Sequence, residues 1–356
     1  MNSTRKKSLK NRLICFSFLL YSIFPCNGSG SSSDWNYKQN ITRIKSEFLQ
    51  IDELIGRPYD IVCKDNLLIY TDFYDGLFLS VFNLKNNRFV GRFLQQGQGP
   101  NDAIAPIYLL PYPEKDKLYI YQRNAAKLSI LDTQKFNIQR NIQFTSKTAW
   151  RPFEMQRTKD FFIGTGILEK GRFAVYDLNG TFITEGGRYP FRGERMERAN
   201  AFLTYQGSYC TNPDNNSFAS GCLYSDYLAF YKVKDNEITL TKEYFSRDAD
   251  IKSDNNGTTS RVAPNNSSTI NYTSAFGSKS YCYMLFSGKT YEDNNNSDSG
   301  GKHIIIFDWD GNYIKTFETD VIIYNFFVDE TNNIIFAVAN DESGEKAIVK
   351  FEIPIL

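Results

Sequence analysis

The chain has 356 residues, a formal net charge of +1 and 41% hydrophobic residues, so it can bury a sizeable core. Five of its 41 basic residues lie within the first 12 positions, and the remainder, with 36 basic and 40 acidic side chains, lacks the concentrated basic field of a nucleic-acid-binding protein. Its single histidine, His303, opens a strand beside Lys302, a position that argues against histidine-based nucleophilic catalysis, and metal sites built from several histidines are excluded.

The first 26 residues read as an export signal. A cationic start precedes LICFSFLLYSIF, an apolar run of 12 residues that is too short for a permanent membrane-spanning helix. Cys26 and the tract 27–38 after it resemble a bacterial lipoprotein, in which the cysteine carries the lipid and the tract is a flexible tether. Because Phe24–Pro25 replaces the small residues usual before such a cysteine, ordinary cleavage near Gly28 stays open. Both alternatives predict an exported protein, periplasmic or anchored in the outer membrane.

Residues 39–356 predict an all-β domain built from a repeat. Short alternating strands are separated by Asn, Asp and Gly clusters. VYDLNGTFIT (175–184) matches IFDWDGNYIK (306–315), and the Asn-Gly or Asp-Gly pair in each favours a tight hairpin turn. Weaker copies lie at 81–90, 130–139 and 230–239. The repeating units begin near residues 57, 104, 151, 202, 272 and 322, and four-stranded repeats at this spacing are typical of a β-propeller.

The sixth unit, from Val321 onward, has only three strand candidates, so a closed ring needs a strand from elsewhere. We expect ITRIKSEFLQIDE (41–53) to supply it, although the apolar spacing of this segment also fits a helix. The predicted architecture is a six-bladed β-propeller with four-stranded antiparallel blades, closed by its N-terminal strand.

The glycine-rich stretch FLQQGQGPND (93–102) is predicted to be a corner and not a phosphate site. No third glycine completes a dinucleotide-binding loop, Pro100 lacks an N–H donor, and no Walker lysine follows. In the repeat, this stretch connects the outer strand of one blade with the inner strand of the next. The equivalent position in the repeat two blades later is occupied by TEGGRYPFRGERMERAN (184–200).

The GQGPND crossover, the later GGRYPF and the segment that begins ANAFLTYQGSYC resemble the TolB-like six-bladed propeller lipoproteins of Gram-negative anaerobes. The resemblance extends from about residue 40 to the C-terminus. It implies the propeller fold, but the family has no established activity, so the resemblance leaves the function open.

A calcium-dependent propeller hydrolase or lactonase is the alternative enzymatic interpretation. Oxygen ligands suit calcium, and inner strands offer four candidates: Asp60, Glu154, Asn271 and Asn325. Polar residues at strand ends are ordinary in propellers, so we favour a protein without catalytic residues or a required cofactor.

Loops that cross between blades share one face with loops between second and third strands. Arginines and aromatic residues on this face suit recognition of carboxylates, sugars or peptides. The expected ligand-binding residues are Tyr74, Trp150, Arg151, Arg192 and Arg195. We therefore expect a monomeric binding or scaffolding propeller whose partner is an envelope protein, peptide or glycan, with a lipid anchor as its only membrane contact.

Four cysteines follow the tether, and their spacing is not that of a zinc site. Cys210 and Cys222 flank a turn-rich segment and are candidates for a disulfide across a hairpin. Buried free thiols are the alternative for these and for Cys63 and Cys282.

Overall fold

The structure is a computed structural model that describes residues 38–145, 151–190, 196–255, 260–293 and 300–356. The predicted export signal, Cys26 and nearly all of the tether lie outside these ranges, as do Trp150, Arg192 and Arg195. Among the described residues, no helix has the length and apolar character needed to cross a membrane.

Two short strands open the described chain, β1 (Ile41–Ile44) and β2 (Ser46–Phe48). Four separate blades follow, each an antiparallel sheet of four consecutive strands. Blade 1 contains β3 (Ile61–Lys64), β4 (Leu67–Tyr74), β5 (Leu77–Asn83) and β6 (Arg88–Gln95). Blade 2 contains β7 (Ile107–Leu110), β8 (Lys117–Gln122), β9 (Lys127–Asp132) and β10 (Ile138–Gln143), with a 3-10 turn at Arg123–Ala125.

Blades 3 and 4 are joined through a short helix that sequence analysis did not predict, α1 (Arg198–Thr204). Blade 3 contains β11 (Glu154–Arg157), β12 (Phe162–Thr165), β13 (Phe173–Tyr176) and β14 (Phe182–Gly186). Blade 4 contains β15 (Gly207–Thr211), β16 (Ser217–Cys222), β17 (Leu228–Lys234) and β18 (Glu237–Tyr244). The connection to blade 5 carries an extra hairpin of β19 (Ile251–Asn255) and β20 (Ser260–Pro264), against which α1 packs.

Blades 5 and 6 share a strand. Blade 5 contains β21 (Tyr272–Gly277), β22 (Tyr281–Phe286), β23 (Gly301–Asp308) and the first part of β24 (Tyr313–Asp329). The second part of β24 is the first strand of blade 6, which continues with β25 (Ile334–Asn340) and β26 (Lys346–Glu352). Because β24 runs unbroken through 17 residues, both blades belong to one eight-stranded sheet together with β1 and β2.

Apolar side chains pack between neighbouring blades. Within the described residues they form six clusters, one for each pair of adjacent blades. The cluster between the last and first blades joins Val338 and Ile348 to Leu68 and Tyr70, so the ring is closed in its packing as well as in its hydrogen bonds. The second and third strands are almost wholly buried, whereas fourth strands such as β18 alternate with solvent and mark the outer edge. These observations confirm the predicted six-bladed propeller.

The Asn-Gly and Asp-Gly pairs form the predicted hairpin turns between third and fourth strands. Gly180 and Gly311 have φ values of +84° and +79°, a conformation that glycine adopts without steric cost. The carboxylate of Asp308 accepts the backbone N–H groups of Asp310 at 3.0 Å and Asn312 at 2.7 Å, which holds the second turn.

The N-terminal segment closes the ring as strands, and the helical alternative is wrong. β2 pairs antiparallel with β26, with Glu47 opposite Lys350, and supplies the outer strand of blade 6. β1 does something that the sequence pattern did not predict: it pairs parallel with β24, from Ile41 opposite Thr316 onward, and adds a fifth strand to blade 5. One short segment therefore covers the edges of two blades.

The stretch 93–102 is the predicted corner. Gln96 forms an isolated parallel bridge with Ala103, and the chain then runs to β7 without forming a helix. The Asp102 carboxylate accepts the Gly99 N–H at 2.9 Å, and a Cβ placed on Gly97 would lie 2.3 Å from the same carboxylate. At Gly97 and Gly99 the Asp102 carboxylate occupies the space that a side chain would need.

The expected pairing of Cys210 with Cys222 does not occur in the structure. The register of blade 4 places Cys210 opposite Ala219 and Cys222 opposite Gly207. The two side chains also enter different cores, Cys222 towards blade 3 and Cys210 towards blade 5. Both cysteines are free thiols, as are Cys63 and Cys282.

A chain that begins at residue 55 is expected to lose cooperative folding. Removal of β1 and β2 leaves β24 and β26 with unpaired edges and takes Phe48 from the core beneath it. Thermal unfolding followed by circular dichroism measures this, with a chain that begins at residue 38 as the matched control. A cooperative transition within about 2 °C of the control would contradict the closure role.

Candidate functional site

The propeller has cavities at both ends of its channel. We call the side with the blade-to-blade crossovers and the second-to-third strand loops the crossover face, and the other side the opposite face. The crossover-face cavity has a volume of about 360 Å³ and lies mainly along blades 3 to 5. The opposite-face cavity is larger, about 1020 Å³, and is lined by loops of five blades and by part of the closing segment.

The opposite-face cavity is larger, but two of its half-buried charged groups are hydrogen-bonded within the protein. The Lys64 ammonium donates to the backbone carbonyls of Tyr112 at 2.5 Å and Glu114 at 2.7 Å, and burial lowers the pKa of Lys64 to about 8. The Glu330 carboxylate accepts the hydroxyls of Ser278 at 2.5 Å and Tyr283 at 2.7 Å. Such satisfied groups have little left to offer a ligand.

The crossover-face cavity combines aromatic walls with charged side chains. Its charged residues are Arg123, Glu154 and Arg172. Its aromatic residues are Phe153, Phe173, Tyr189, Phe202, Tyr205 and Tyr272. Phe202 belongs to α1, so the unpredicted helix supplies one wall. An apolar enclosure with a few convergent polar groups is the usual form of a ligand site.

Arg172 is the least ordinary residue of this cavity. Only 5% of Arg172 is exposed, because the residue directly precedes β13 and its side chain lies between blades 3 and 4. Its guanidinium donates to the Tyr205 carbonyl at 3.2 Å and lies 5.4 Å from the ring centre of Tyr227 and 5.9 Å from that of Tyr189. Among the residues that the structure describes, no carboxylate lies within ion-pair distance of it. A permanently charged group is therefore buried in a cage of aromatic rings and neutral acceptors.

Two buried hydroxyl groups of residues that line the cavity lack hydrogen-bond partners among the described residues. The Tyr272 residue has no exposed surface, and its hydroxyl has no hydrogen-bond partner among the described residues. The hydroxyl of the neighbouring Thr273 is likewise unpartnered within that part of the chain. Buried polar groups are normally hydrogen-bonded, so these two hydroxyls are exceptions within the wall of the cavity.

Arg123 and Glu154 lie where the cavity meets the channel. The Arg123 guanidinium stacks 3.8 Å above the ring of Phe153, and that ring lies 4.8 Å from the ring of Phe202. Burial raises the pKa of Glu154 to about 7, and the charge of Arg123 opposes this shift. Burial also raises the pKa of Asp60 to about 7; the Leu109 N–H opposes this shift, and the Glu154 charge adds to it. Two carboxyl groups of the channel thus hold their protons near neutral pH.

Of the four candidate calcium ligands, the structure brings Asp60 and Asn325 into direct contact, as a hydrogen-bonded pair. The Asp60 carboxylate accepts the Leu109 N–H at 3.0 Å and the Asn325 side-chain amide at 2.8 Å. The Asn325 carbonyl oxygen accepts the Phe326 N–H at 2.6 Å, which fixes the amide with its nitrogen towards Asp60. Asn271 lies on the connection into blade 5 and donates to the Thr269 carbonyl at 3.1 Å.

N–H donors surround Asp60 where calcium needs oxygen atoms, so this donor set does not fit the ion. No group of three or more acidic, histidine or cysteine residues in the described ranges has a geometry that could hold a metal.

The expected ligand-binding residues that the structure describes lie on the crossover face but outside the cavity. Arg151 is exposed and donates to the backbone carbonyl of Asn124. Tyr74 is at the end of β4 in blade 1, with the Arg92 guanidinium 4.5 Å from its ring centre. Sequence reasoning missed Arg172. The available signal was its position directly before the wholly buried strand FAVY, where an arginine cannot reach bulk solvent.

Glu154→Gln is expected to stabilise the protein above pH 7. The folded state holds the Glu154 proton up to about pH 7, against an ordinary pKa of 4.5, so this contribution to stability is full below about pH 4.5 and is lost as the pH rises to 7. We expect the glutamine variant to gain about 1–2 kcal/mol over the wild type at pH 8, less than a full shift would give because the side chain is partly solvated.

Thermal unfolding between pH 4.5 and pH 8.5 measures this difference, with Glu237→Gln at an exposed position of β18 as the control. A difference between Glu154→Gln and wild type that stays constant over this range would show that the Glu154 pKa is not raised.

Comparisons with known proteins agree with this architecture. Among solved structures, one named U3-55K gives a TM-score of 0.52 at 6% identity and covers 86% of this chain and 98% of its own. A Bacteroides fragilis protein named as a candidate exported protein gives a TM-score of 0.50 at 13% identity and covers 88% of this chain and 99% of its own. A member of the DUF4221 family from Bacteroides vulgatus gives 0.49 at 15% identity, with coverages of 88% and 98%. At these identities, the likeness to the first two structures shows the fold alone.

No curated protein matches the chain. A family model described as TolB-like 6-blade propeller-like matches residues 36–331, which is most of the sequence and nearly all of the ring. Together with the six closed blades, this match shows that the chain belongs to the TolB-like six-bladed propeller family.

Proposed function

We propose that this chain is a non-catalytic binding protein of the cell envelope that holds an anionic group of its ligand in the crossover-face cavity. The observation that carries the proposal is Arg172, a buried guanidinium that lines the cavity and has no carboxylate partner among the described residues. A propeller scaffold supports a binding role because its loops vary freely on a rigid ring.

Electrostatics favours an anion at this position. Burying a charge is costly unless it is paired, and the acceptors that Arg172 finds in the protein are a carbonyl, hydroxyls and a thiol. A ligand carboxylate would complete the pairing, since the planar guanidinium can donate to both carboxylate oxygens at once.

The size and the walls of the cavity indicate what part of a ligand enters. A volume of about 360 Å³ is at the small end of ligand sites, so one residue-sized group fits and the rest of the ligand lies across the face. Rings such as Tyr189 and Tyr205, whose centres are 6.0 Å apart, offer flat surfaces to an aromatic or sugar ring. The inserted group is therefore an acidic residue of a peptide or protein chain, or an acidic sugar of a glycan.

The remaining ligand is proposed to contact the rim of the crossover face. We assign this role to the residues expected from the sequence, which are Tyr74, Trp150, Arg151, Arg192 and Arg195. Arginines and aromatic residues at a rim favour carboxylates and apolar groups of a partner.

An envelope location is part of the proposal. The cationic and apolar start of the chain, with Cys26 directly after it, supports export and a lipid anchor or, with cleavage near Gly28, a free periplasmic protein. The structural likeness to a Bacteroides fragilis protein named as a candidate exported protein is in keeping with export.

We expect Arg172→Lys to weaken ligand binding at least tenfold while the protein stays folded, because lysine retains the charge but loses the forked donor geometry. Full-length wild-type and variant proteins serve as baits in an envelope extract. Captured partners are eluted with phenylacetate or glucuronate, and with phenylacetamide or glucose as neutral counterparts of the same shape. Release by an acid and not by its neutral counterpart identifies the anionic group, and the effective acid separates peptide from glycan.

Two variants control this experiment. Lys279→Ala alters an exposed lysine at the opposite-face cavity, and Glu237→Gln removes an exposed acid of β18. Neither is expected to change recovery. Equal recovery by wild type and Arg172→Lys, with loss in Lys279→Ala, would place the binding site on the opposite face and refute the proposal.

A further inference from the structure

Two buried thiols meet between blades 4 and 5. Cys210 lies on β15 and Cys282 on β22, and their Sγ atoms are 3.4 Å apart. Their residues are 2% and 0% exposed, and both belong to the apolar cluster that joins the two blades. The sequence separation of 72 residues gave no sign of this contact.

We propose that Cys210 and Cys282 form a disulfide that crosslinks blades 4 and 5 in the exported protein. Formation of the bond removes two protons and two electrons from the thiols, and the electrons reduce the disulfide of a thiol–disulfide oxidant to its dithiol. A sulfur–sulfur bond of about 2.05 Å requires the two Sγ atoms to approach by about 1.4 Å. The proposal rests on export to an oxidising compartment and not on the binding site.

The crosslink must form while the protein folds. Burial raises the pKa of Cys282 well above its usual value, and its contact with Cys210 raises it further. Since the thiolate is the species that attacks a disulfide, the folded protein would react slowly. An oxidant therefore reaches the thiols before blades 4 and 5 dock.

The position of the pair has a physical rationale. The chain makes a long excursion between Tyr244 at the end of β18 and Tyr272 at the start of β21, and this excursion includes the β19–β20 hairpin. Longer connections cost more entropy to close. A covalent bond between blades 4 and 5 offsets this entropic cost, which is large at their junction because the connection is long.

The other two described cysteines have different surroundings. Cys222 faces blade 3, where its Sγ lies 3.3 Å from the Tyr205 carbonyl oxygen, and Cys63 is half-buried at the opposite-face cavity. Neither has another cysteine sulfur within 4.0 Å among the described residues. The proposed oxidation is therefore selective.

Peptide mapping by mass spectrometry tests the proposal on full-length protein isolated from the envelope fraction of its bacterial host, after alkylation under denaturing conditions. We expect Cys63 and Cys222 to be alkylated without reductant, and a peptide linked through Cys210 and Cys282 that separates only after reduction. Reductant should also lower the melting temperature of the wild type by on the order of 5 °C and leave that of Cys282→Ala unchanged.

Refolding of the full-length chain in a buffer of reduced and oxidised glutathione is a second measurement that needs neither export nor a variant. The same linked peptide is expected there, with Cys63→Ala as a matched control that retains it. Alkylation of Cys63, Cys210, Cys222 and Cys282 in both preparations, or a linkage that involves Cys63 or Cys222, would overturn the proposal. Loss of ligand binding in Arg172→Lys would have no bearing on it.

Discussion

The fold depends on main-chain hydrogen bonds between its two ends. β2 supplies the last edge of blade 6, and the apolar cluster between blades 6 and 1 completes the ring only when that blade is whole. The crossover-face cavity takes residues from blades 2 to 5, and the opposite-face cavity takes residues from five blades. No blade could form either cavity alone, so the spacing fixed by the closed ring determines both.

Charged side chains at the two ends of the channel have different partners. On the opposite face, carboxylates and ammonium groups are matched by hydroxyls, carbonyls and one another, as around Glu330 and Lys64. On the crossover face, Arg172 has aromatic faces and neutral acceptors. Between them, Asp60 and Glu154 hold protons near neutral pH. Glu330 and Lys64 are thus hydrogen-bonded within the protein, and Arg172, which is more deeply buried, is the charge that we propose a ligand completes.

The repeat predicted the fold because its signals are local. An Asp-Gly or Asn-Gly pair at 308–312 or 177–181 needs a positive φ, and that requirement does not depend on the rest of the chain. The division of the closing segment between two blades was not predictable, since β1 meets β24 across more than 270 residues. Side-chain contacts between blades were harder still to predict from the sequence. Arg172 is buried by the packing of blade 4 against blade 3, and the Cys210–Cys282 contact arises in the same way between blades 4 and 5.

The parallel pairing of β1 with β24 has a mechanical consequence. A pull on the N-terminus along the strand axis loads the hydrogen bonds of Ile41–Ile44 in shear, so they share the force and do not open one after another. The load passes into β24, which runs through blades 5 and 6 without a hinge. If the chain is tethered to a membrane through Cys26, tension from a partner bound at the crossover-face cavity passes to the tether through the most continuous sheet of the molecule.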